Sequence, residues 1–556
     1  MHGFLVAKGV DIDCLGSYTD IMPFKQYNNL LNKFPYDQIF LNTDQEVCFF
    51  DGFVYNKAEI MKNIDMDWKN SFSDYIKANP SECLSMLRGN FCGYFYDKEE
   101  KAMTIFTDHL GAKALYYYIN GDQWIISNNV VLILNVLKEN HCPYNFNDVA
   151  AQYMLSYGYM LDDSTFVRQI HRVLPGYFIS IKGNKLQRKR YYQICNTEER
   201  MTETEAIEKI DFAFRRAVYR EFEKDIEYGY RHLVDLSGGL DSRMVSWVAH
   251  DLGYTDQVNI TYCRAGYNDD IISKEIACYL HHEYIFKTLD DAKWLYDVDS
   301  LTEMNNGAAY FCGITGGGRL LSMLKGENFG IEHTGMIGDA ILSTFYRDKK
   351  FNFQKPEFGM HRYSEMLSYN FDSCLLEEYP NQEIFAIYTR GILGAQASYM
   401  IRQNYVEPAS PFTDVDFLDT VFSVPFEYRR NHHIYLKWMM EKYPESANFG
   451  WEKWGGIKPK VSHIWLRKIN TSYRLFSRFL DKIKGKENRD SMNPVDYWYG
   501  EDENIQKFFR EYYEQNIKLD INDPIKNDIS KMFFKGNVIE KSMALTVLAM
   551  AKRIYC

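Results

Sequence analysis

No Cys-x-x-Cys pair occurs anywhere in the 556 residues, although the chain holds 11 cysteines. Their odd number and scatter argue against a disulfide framework, and the missing spacing argues against a zinc ribbon. A reducing cytoplasm is the expected compartment. Excess positive charge is missing too: 64 Lys and Arg stand against 75 Asp and Glu, a net charge of −11. That balance argues against a dedicated nucleic-acid binder. No uninterrupted apolar stretch is long enough to span a bilayer. The stretch Met1 to Cys14 breaks its apolar run at Lys8, Asp11 and Asp13 and does not read as a signal peptide. Repeats and low-complexity segments are missing as well. What remains is a globular composition, 46% hydrophobic and 25% charged. The chain is too long for one typical core, so two domains are expected.

The Walker sequence G-x-x-x-x-G-K-[ST] is also missing. In its place stands Val234-Asp235-Leu236-Ser237-Gly238-Gly239-Leu240-Asp241-Ser242. The run Leu233 to Leu236 reads as a buried strand. Met244, Val245, Trp247 and Val248 then recur at helical spacing until Gly253 stops them. A strand–loop–helix corner of this kind presents backbone N–H groups and the positive end of a helix dipole to an anion. Gly238 and Gly239 let backbone approach a phosphate, Ser237 and Ser242 add hydroxyls, and Asp241 supplies a carboxylate for magnesium. The sequence S-G-G-L-D-S resembles the pyrophosphate-binding loop of the PP-loop ATP pyrophosphatases. That resemblance implies ATP split to AMP and pyrophosphate, with Leu236, Ser237, Gly238, Gly239, Asp241 and Ser242 as the nucleotide-binding residues.

The region before about Cys195 reads as β-rich. Val47–Tyr55 and Ala102–Thr107 are strand-like, Asp51-Gly52 and Asn120-Gly121 are turn signals, and Tyr116–Tyr118 with Trp124–Ser127 form a hairpin. Leu174-Pro175-Gly176 marks another turn. The polar run Asn196–Thr204 suggests a boundary. After it, helical periodicity through Ala206, Ile207, Ile210, Phe212 and Ala213 precedes alternating strands and helices: Val258–Tyr262, a helix opening at Asp269-Asp270, and Glu283–Phe286. Such alternation predicts a parallel α/β sheet with its ligands at the strand carboxyl ends. His281-His282 on a strand would point apart, so a surface or strand-edge role is expected rather than metal ligation.

Several segments resemble the asparagine synthetase family in order along most of the chain. Met1-His2-Gly3-Phe4, Asp51-Gly52-Phe53-Val54-Tyr55-Asn56, Arg88-Gly89-Asn90-Phe91, Asp108-His109-Leu110-Gly111 and Val173-Leu174-Pro175-Gly176 are similar to its glutaminase domain. The resemblance implies an N-terminal-nucleophile-like β sandwich over residues 1–195, followed by a PP-loop doubly wound parallel α/β domain with a helical C-terminal part over residues 204–556. His2 stands where that family has its cysteine nucleophile, and an imidazole cannot form the thioester. Asp51 stands at the oxyanion-hole asparagine, where a carboxylate repels the developing charge. The resemblance therefore implies a retained domain without glutaminase activity, close to β-lactam synthetases and lasso-peptide cyclases.

Further along, Phe329 to Ala340 reads as a strand running into a Gly-rich loop and resembles the family's second acidic segment. The resemblance puts Gly335 at the nucleotide and Asp339 beside Asp241 as a second magnesium ligand. Met336 replaces a proton-accepting residue of the family, and Ala340 replaces its last acid. Glu407-Pro408-Ala409-Ser410-Pro411-Phe412-Thr413-Asp414 is similar to a further motif, with Ala409 in place of its arginine. Glu407 reads as a catalytic acid/base, or equally as an N-cap or ion-pair residue. Lys453-Trp454-Gly455-Gly456 resembles the loop whose lysine contacts phosphates and adenylated intermediate, which makes Lys453 the phosphate clamp.

From Lys458 to Asp490 ten Lys or Arg face three Asp or Glu, with Ile469, Tyr473, Phe476, Leu480 and Ile483 at helical spacing. This predicts a basic amphipathic helix packed on the domain, with a membrane-surface or acidic-substrate contact as the alternative. An apolar last helix, Val538–Tyr555, returns to the core. The resemblance implies an ATP- and Mg2+-dependent, AMP-forming ligase joining a carboxylate on a small molecule, peptide or glycan to an amine. It is compatible with a homodimer, an ammonia-dependent asparagine synthase or a surface-polysaccharide amide-modifying enzyme. The losses at His2, Asp51, Met336 and Ala340 leave a non-catalytic binding protein as the rival.

Overall fold

The computed structural model describes residues 3–62, 67–183, 185–313, 316–346, 348–460, 463, 470 and 489–556. His2 and the apolar positions Ile469, Tyr473, Phe476, Leu480 and Ile483 lie outside them. The described chain is a two-domain α/β protein with two antiparallel six-stranded sheets and one five-stranded parallel sheet. Gly3–Lys8 sits inside the first antiparallel sheet, between Phe24–Asn29 and Gln123–Ser127. Glu46–Val54 and Gly89–Asp97 pair at the heart of the second. Phe4, Val6 and Phe24 from one sheet meet Phe49, Tyr94, Ile105 and Ile179 from the other in a shared core. Both faces of these strands are buried: alternate residues face this core, while Leu5 and Ala7 of one sheet and Cys48 and Phe50 of the other turn to separate cores behind them.

Asp51-Gly52 is not a turn. Both residues lie within the strand Glu46–Val54. Gly52 has φ +124, and a Cβ there would stand 2.0 Å from the Asn90 carbonyl oxygen of the neighbouring strand. Glycine is needed for close backbone approach, not for reversal of the chain. The expected hairpin does form, between Tyr116–Asn120 and Gln123–Ser127.

No helix or strand occupies Tyr191–Met201. A capping box of Thr202 and Glu205 then starts the helix Glu203–Tyr228. Phe212, expected on its apolar face, is 70% exposed, whereas Phe214 is buried. The parallel sheet runs Glu283–Thr288, Gln257–Cys263, Arg231–Asp235, Phe329–His333, Glu407–Ala409. The strand that feeds S-G-G-L-D-S is thus central, and its carboxyl end opens between two neighbours. His281 is not on a strand but ends the helix Asn268–Leu280 in a left-handed conformation. His282 is buried, with its Nδ1 2.9 Å from Asn259 Oδ1 and its Nε2 2.9 Å from His250 Nδ1.

A buried ionic network ties the long helix to the sheet. His333 Nδ1 lies 3.0 Å from Glu221 Oε2, and its Nε2 lies 2.9 Å from Asp225 Oδ2. Burial alone favours neutral imidazole. The bonds to Asp225 and Glu221 outweigh it and lift the His333 pKa to about 9. The last helix, Val538–Tyr555, is largely buried. It packs against the helix Asp148–Tyr157 of the N-terminal region. Among the described residues no helix is long and apolar enough to cross a membrane.

Candidate active site

The corner after Arg231–Asp235 is closed by its own side chains. Ser237 N donates to Ser242 Oγ at 2.9 Å, and Gly239 N donates to Ser237 Oγ at 3.1 Å. Gly238 N donates to Asp269 Oδ1 at 2.9 Å. The three amides expected to face an anion thus bond serine hydroxyls and a carboxylate. Asp269, expected only to open a helix, is pushed up to about 6 by burial. Gly238 has a packing duty: a Cβ there would stand 3.0 Å from Glu452 Cβ and 3.1 Å from the Asn268 carbonyl. Leu236 is buried and extends the sheet through its N–H to Ile260 O.

The loop after Phe329–His333 lies against the first turn of the helix Asp241–Asp251. A Cβ on Gly335 would stand 2.4 Å from the Ser242 nitrogen, and one on Gly338 would stand 2.7 Å from Asp241 Cγ. These close approaches bring the two expected carboxylates together. Asp339 N donates to Asp241 Oδ2 at 2.8 Å, and Tyr435 Oη donates to Asp241 Oδ1 at 2.8 Å. Lys453 Nζ lies 3.3 Å from Asp339 Oδ2 and 3.1 Å from His432 Nε2. Burial, then the charge of Asp339, pushes the Asp241 carboxyl up to about 8. A pair of carboxylates held together against this penalty is an oxygen-donor set suited to a hard divalent cation.

Glu407 stands elsewhere. It begins the edge strand Glu407–Ala409 and is 4% exposed. Its Oε1 accepts from Lys113 Nζ at 2.6 Å, and Lys113 also donates to Asp51 Oδ2 at 3.0 Å. Of the roles left open for Glu407 (acid/base, N-cap or ion pair), the geometry favours the ion pair. Asp51 is likewise no free carboxylate, since Gln38 Nε2 donates to its Oδ1 at 2.9 Å. Met336 lines a separate cavity beside the corner, and Ala340 is buried.

Sequence reasoning missed four participants. Arg243 is fully buried, and its guanidinium donates to the carbonyls of Gly238, Ser446 and Gly450. It thereby ties the Ser-Gly-Gly corner to the segment leading to Lys453. A charge embedded between Asp241 and the apolar Met244 and Val245 was its signal. Asp269 sat in a helix-opening pair and was read only as that. Tyr435 and His432 carried no motif and reach the site through tertiary contact alone.

Residues 37–192 match the family model described as a glutamine amidotransferase domain. The chain is 23% identical over 295 residues to a protein of Methanocaldococcus jannaschii named as an asparagine synthetase (glutamine-hydrolyzing) 2, covering 49% of this chain and 55% of that protein. It is 21% identical over 263 residues to the asparagine synthetase (glutamine-hydrolyzing) 1 of Bacillus subtilis, covering 45% of this chain and 40% of that one. The chain thus spans about half the length of these curated relatives or less. Among solved structures, the allosteric regulatory enzyme of purine biosynthesis aligns at 10% identity with a TM-score of 0.24, over 51% of this chain and 80% of that one.

Proposed function

We infer, from a chain that is asparagine synthetase-like over its matched stretches, that its C-terminal part is an ATP-dependent, AMP-forming amide ligase. In this reading a substrate carboxylate is adenylated, pyrophosphate leaves, and an amine attacks the acyl-adenylate. The observation that carries it is the convergence of Asp241, Asp339 and Lys453 at the head of one helix.

Leu236–Ser242 would hold the phosphates of ATP. The amides of Ser237, Gly238 and Gly239 exchange their internal acceptors for phosphate oxygens, with the helix dipole behind them. Asp241 and Asp339 would hold magnesium, which neutralises polyphosphate charge when bound. Lys453 faces the leaving pyrophosphate and offsets the charge that grows as the α–β bond breaks. Tyr435 orients Asp241, and Gly335 keeps the second loop close enough for Asp339 to join it. Glu407 takes no part in adenylation, because its carboxylate is engaged by Lys113.

Glutamine is not the nitrogen source in this reading. His2 stands at the nucleophile position, and Asp51 is tied to Lys113 and Gln38. The amine is then ammonia, an external amine, or an amine within the substrate. All 11 cysteines are free, which accords with the cytoplasm as the site of action.

One observation favours a second reading, a binding protein on a ligase scaffold: the corner amides already have side-chain acceptors. Thermal unfolding with and without MgATP separates the two. A ligand that binds only the native state raises the midpoint, by about 2.7 kcal/mol of stability at a hundredfold excess over Kd. An unchanged midpoint at saturating MgATP would leave the scaffold reading standing.

A further inference from the structure

Met336 opens onto a cavity of about 300 Å³ at the carboxyl end of the parallel sheet. Five aromatic side chains line it: Tyr159, Tyr262, Trp294, Tyr310 and Tyr363. Glycines seat three of these rings. A Cβ on Gly158 would stand 2.9 Å from Tyr310 and 3.0 Å from Tyr363. One on Gly313 would stand 2.2 Å from the Tyr310 ring, and one on Gly394 would stand 3.1 Å from Tyr159. The wall is therefore built from tyrosine rings against bare backbone, a surface suited to another ring.

Two arginines reach the same cavity and differ in their partners. Arg402 is engaged by Asp235, Glu332 and the Tyr262 hydroxyl. Arg390 lies in the π-helical segment Ile387–Gly394, a rare backbone form that recurs at functional sites. Its Nη1 stands 2.6 Å from His361 Nδ1, and its guanidinium lies 5.2 Å from the centre of the Phe345 ring. Among the described residues no carboxylate lies within ion-pair distance of it. Burial, then the charge of Arg390, pushes His361 down to about 4, so that imidazole is neutral and leaves the guanidinium charge uncompensated. A half-buried arginine without a counter-ion, at the wall of a cavity, is equipped to grip an anion.

We propose that this cavity seats the acyl-donor substrate and that the substrate is a ring-bearing dianion. One carboxylate reaches the nucleotide corner, the ring lies among the tyrosines, and a second anionic group pairs with Arg390. This rests on the adenylation reading for the identity of the first group. The second group must be distinct. The activated carboxylate loses its charge on adenylation, so a cation devoted to it would stabilise only the ground state.

The test is isothermal titration calorimetry on the full chain without ATP. The probes are phenylsuccinate, glucuronate 1-phosphate, succinate and phenylacetate. At least one of the first two binds about tenfold or more tighter than succinate and phenylacetate, and which one does so separates an aromatic from a sugar ring. Arg390→Gln weakens that probe by about tenfold or more, the scale of one charged hydrogen bond, and leaves phenylacetate unchanged. Tyr363→Leu, at a 44% exposed rim position, weakens the ring dianion but not succinate. It stands in if Arg390→Gln fails to fold. Ring dianions no tighter than succinate, undiminished affinity in Arg390→Gln, or no binding by any probe each overturns the proposal. If MgATP still raises the unfolding midpoint, such a failure removes only this pocket. Dianion binding without AMP formation would remove only the adenylation reading.

Discussion

Lys453 pairs with the Asp339 carboxylate and the His432 imidazole, lies 5.9 Å from the centre of the Trp451 ring, and has a side chain 46% exposed. A surface ion pair of this kind adds little stability. Its worth lies in the charge that grows on a leaving pyrophosphate. Lys453→Ala is therefore expected to slow pyrophosphate release by roughly a hundredfold or more while changing ATP affinity much less. A steady-state comparison of kcat and the ATP KM reads this out, and near-full turnover would remove the lysine from the reaction. Asp241→Asn and Asp339→Asn are each expected to weaken magnesium-dependent binding. The double variant should be little worse than either single one, as for groups that act as a unit. Additive losses would mean that the two carboxylates serve separate ligands. The buried triad behaves differently. Burial pushes Glu407 up against the pull of Lys113, while Asp51 and Glu407 together hold Lys113 charged against burial. Lys113→Met strands two carboxylates and should cost about 3–5 kcal/mol in urea unfolding. A cost under about 1 kcal/mol would contradict the pairing.

The corner, the second loop and the helix Asp241–Asp251 form one unit at the scale of elements. Gly335→Ala would place a methyl 2.4 Å from the Ser242 nitrogen. The loop must then shift and carry Asp339 away. The expected result is loss of the MgATP-induced rise in unfolding midpoint with the far-UV spectrum retained. An unchanged rise would show that the loop gives way without harm. Much of this unit was legible in sequence, because strand, turn and helix signals are local and S-G-G-L-D-S concentrates them. Gly52 misled for the same reason. Asp-Gly is a turn signal on local grounds, whereas its duty here is set by Asn90 across the sheet. Glu407 and Lys113 meet across 294 residues, and no local pattern announces a contact of that range. Tyr435 comes to Asp241 in the same way, over 194 residues.

At the scale of the whole molecule, the N-terminal sandwich and the parallel sheet share charged contacts. Lys113 bridges Asp51 and Glu407, and Arg88 pairs with Asp416 at 2.9 Å. Stability should carry the mark of the His333 network. Its pKa rises on folding from the ordinary value of 6.5 to about 9. The stabilisation is complete below pH 6.5 and is lost as the pH climbs through 9. At about 1.4 kcal/mol per pH unit this amounts to on the order of 3 kcal/mol. His333→Gln should flatten that fall between pH 6.5 and 9.5 in thermal scans. A wild-type midpoint level across that range would show that the imidazolium does not form. The alternation of strands and helices made the parallel sheet legible at this scale. The seating of the last helix on Asp148–Tyr157 was not, since an apolar helix announces burial without naming its partner.

The most direct measurement separates the products of ATP. Purified chain, MgATP, pooled ring-bearing and aliphatic carboxylates and pooled amines are incubated together, and the nucleotides are resolved by ion exchange. AMP and pyrophosphate are expected in equal amounts, dependent on the carboxylate and abolished in Asp241→Asn. ADP with phosphate in their place, or AMP formed equally well by Asp241→Asn, would contradict the adenylation reading.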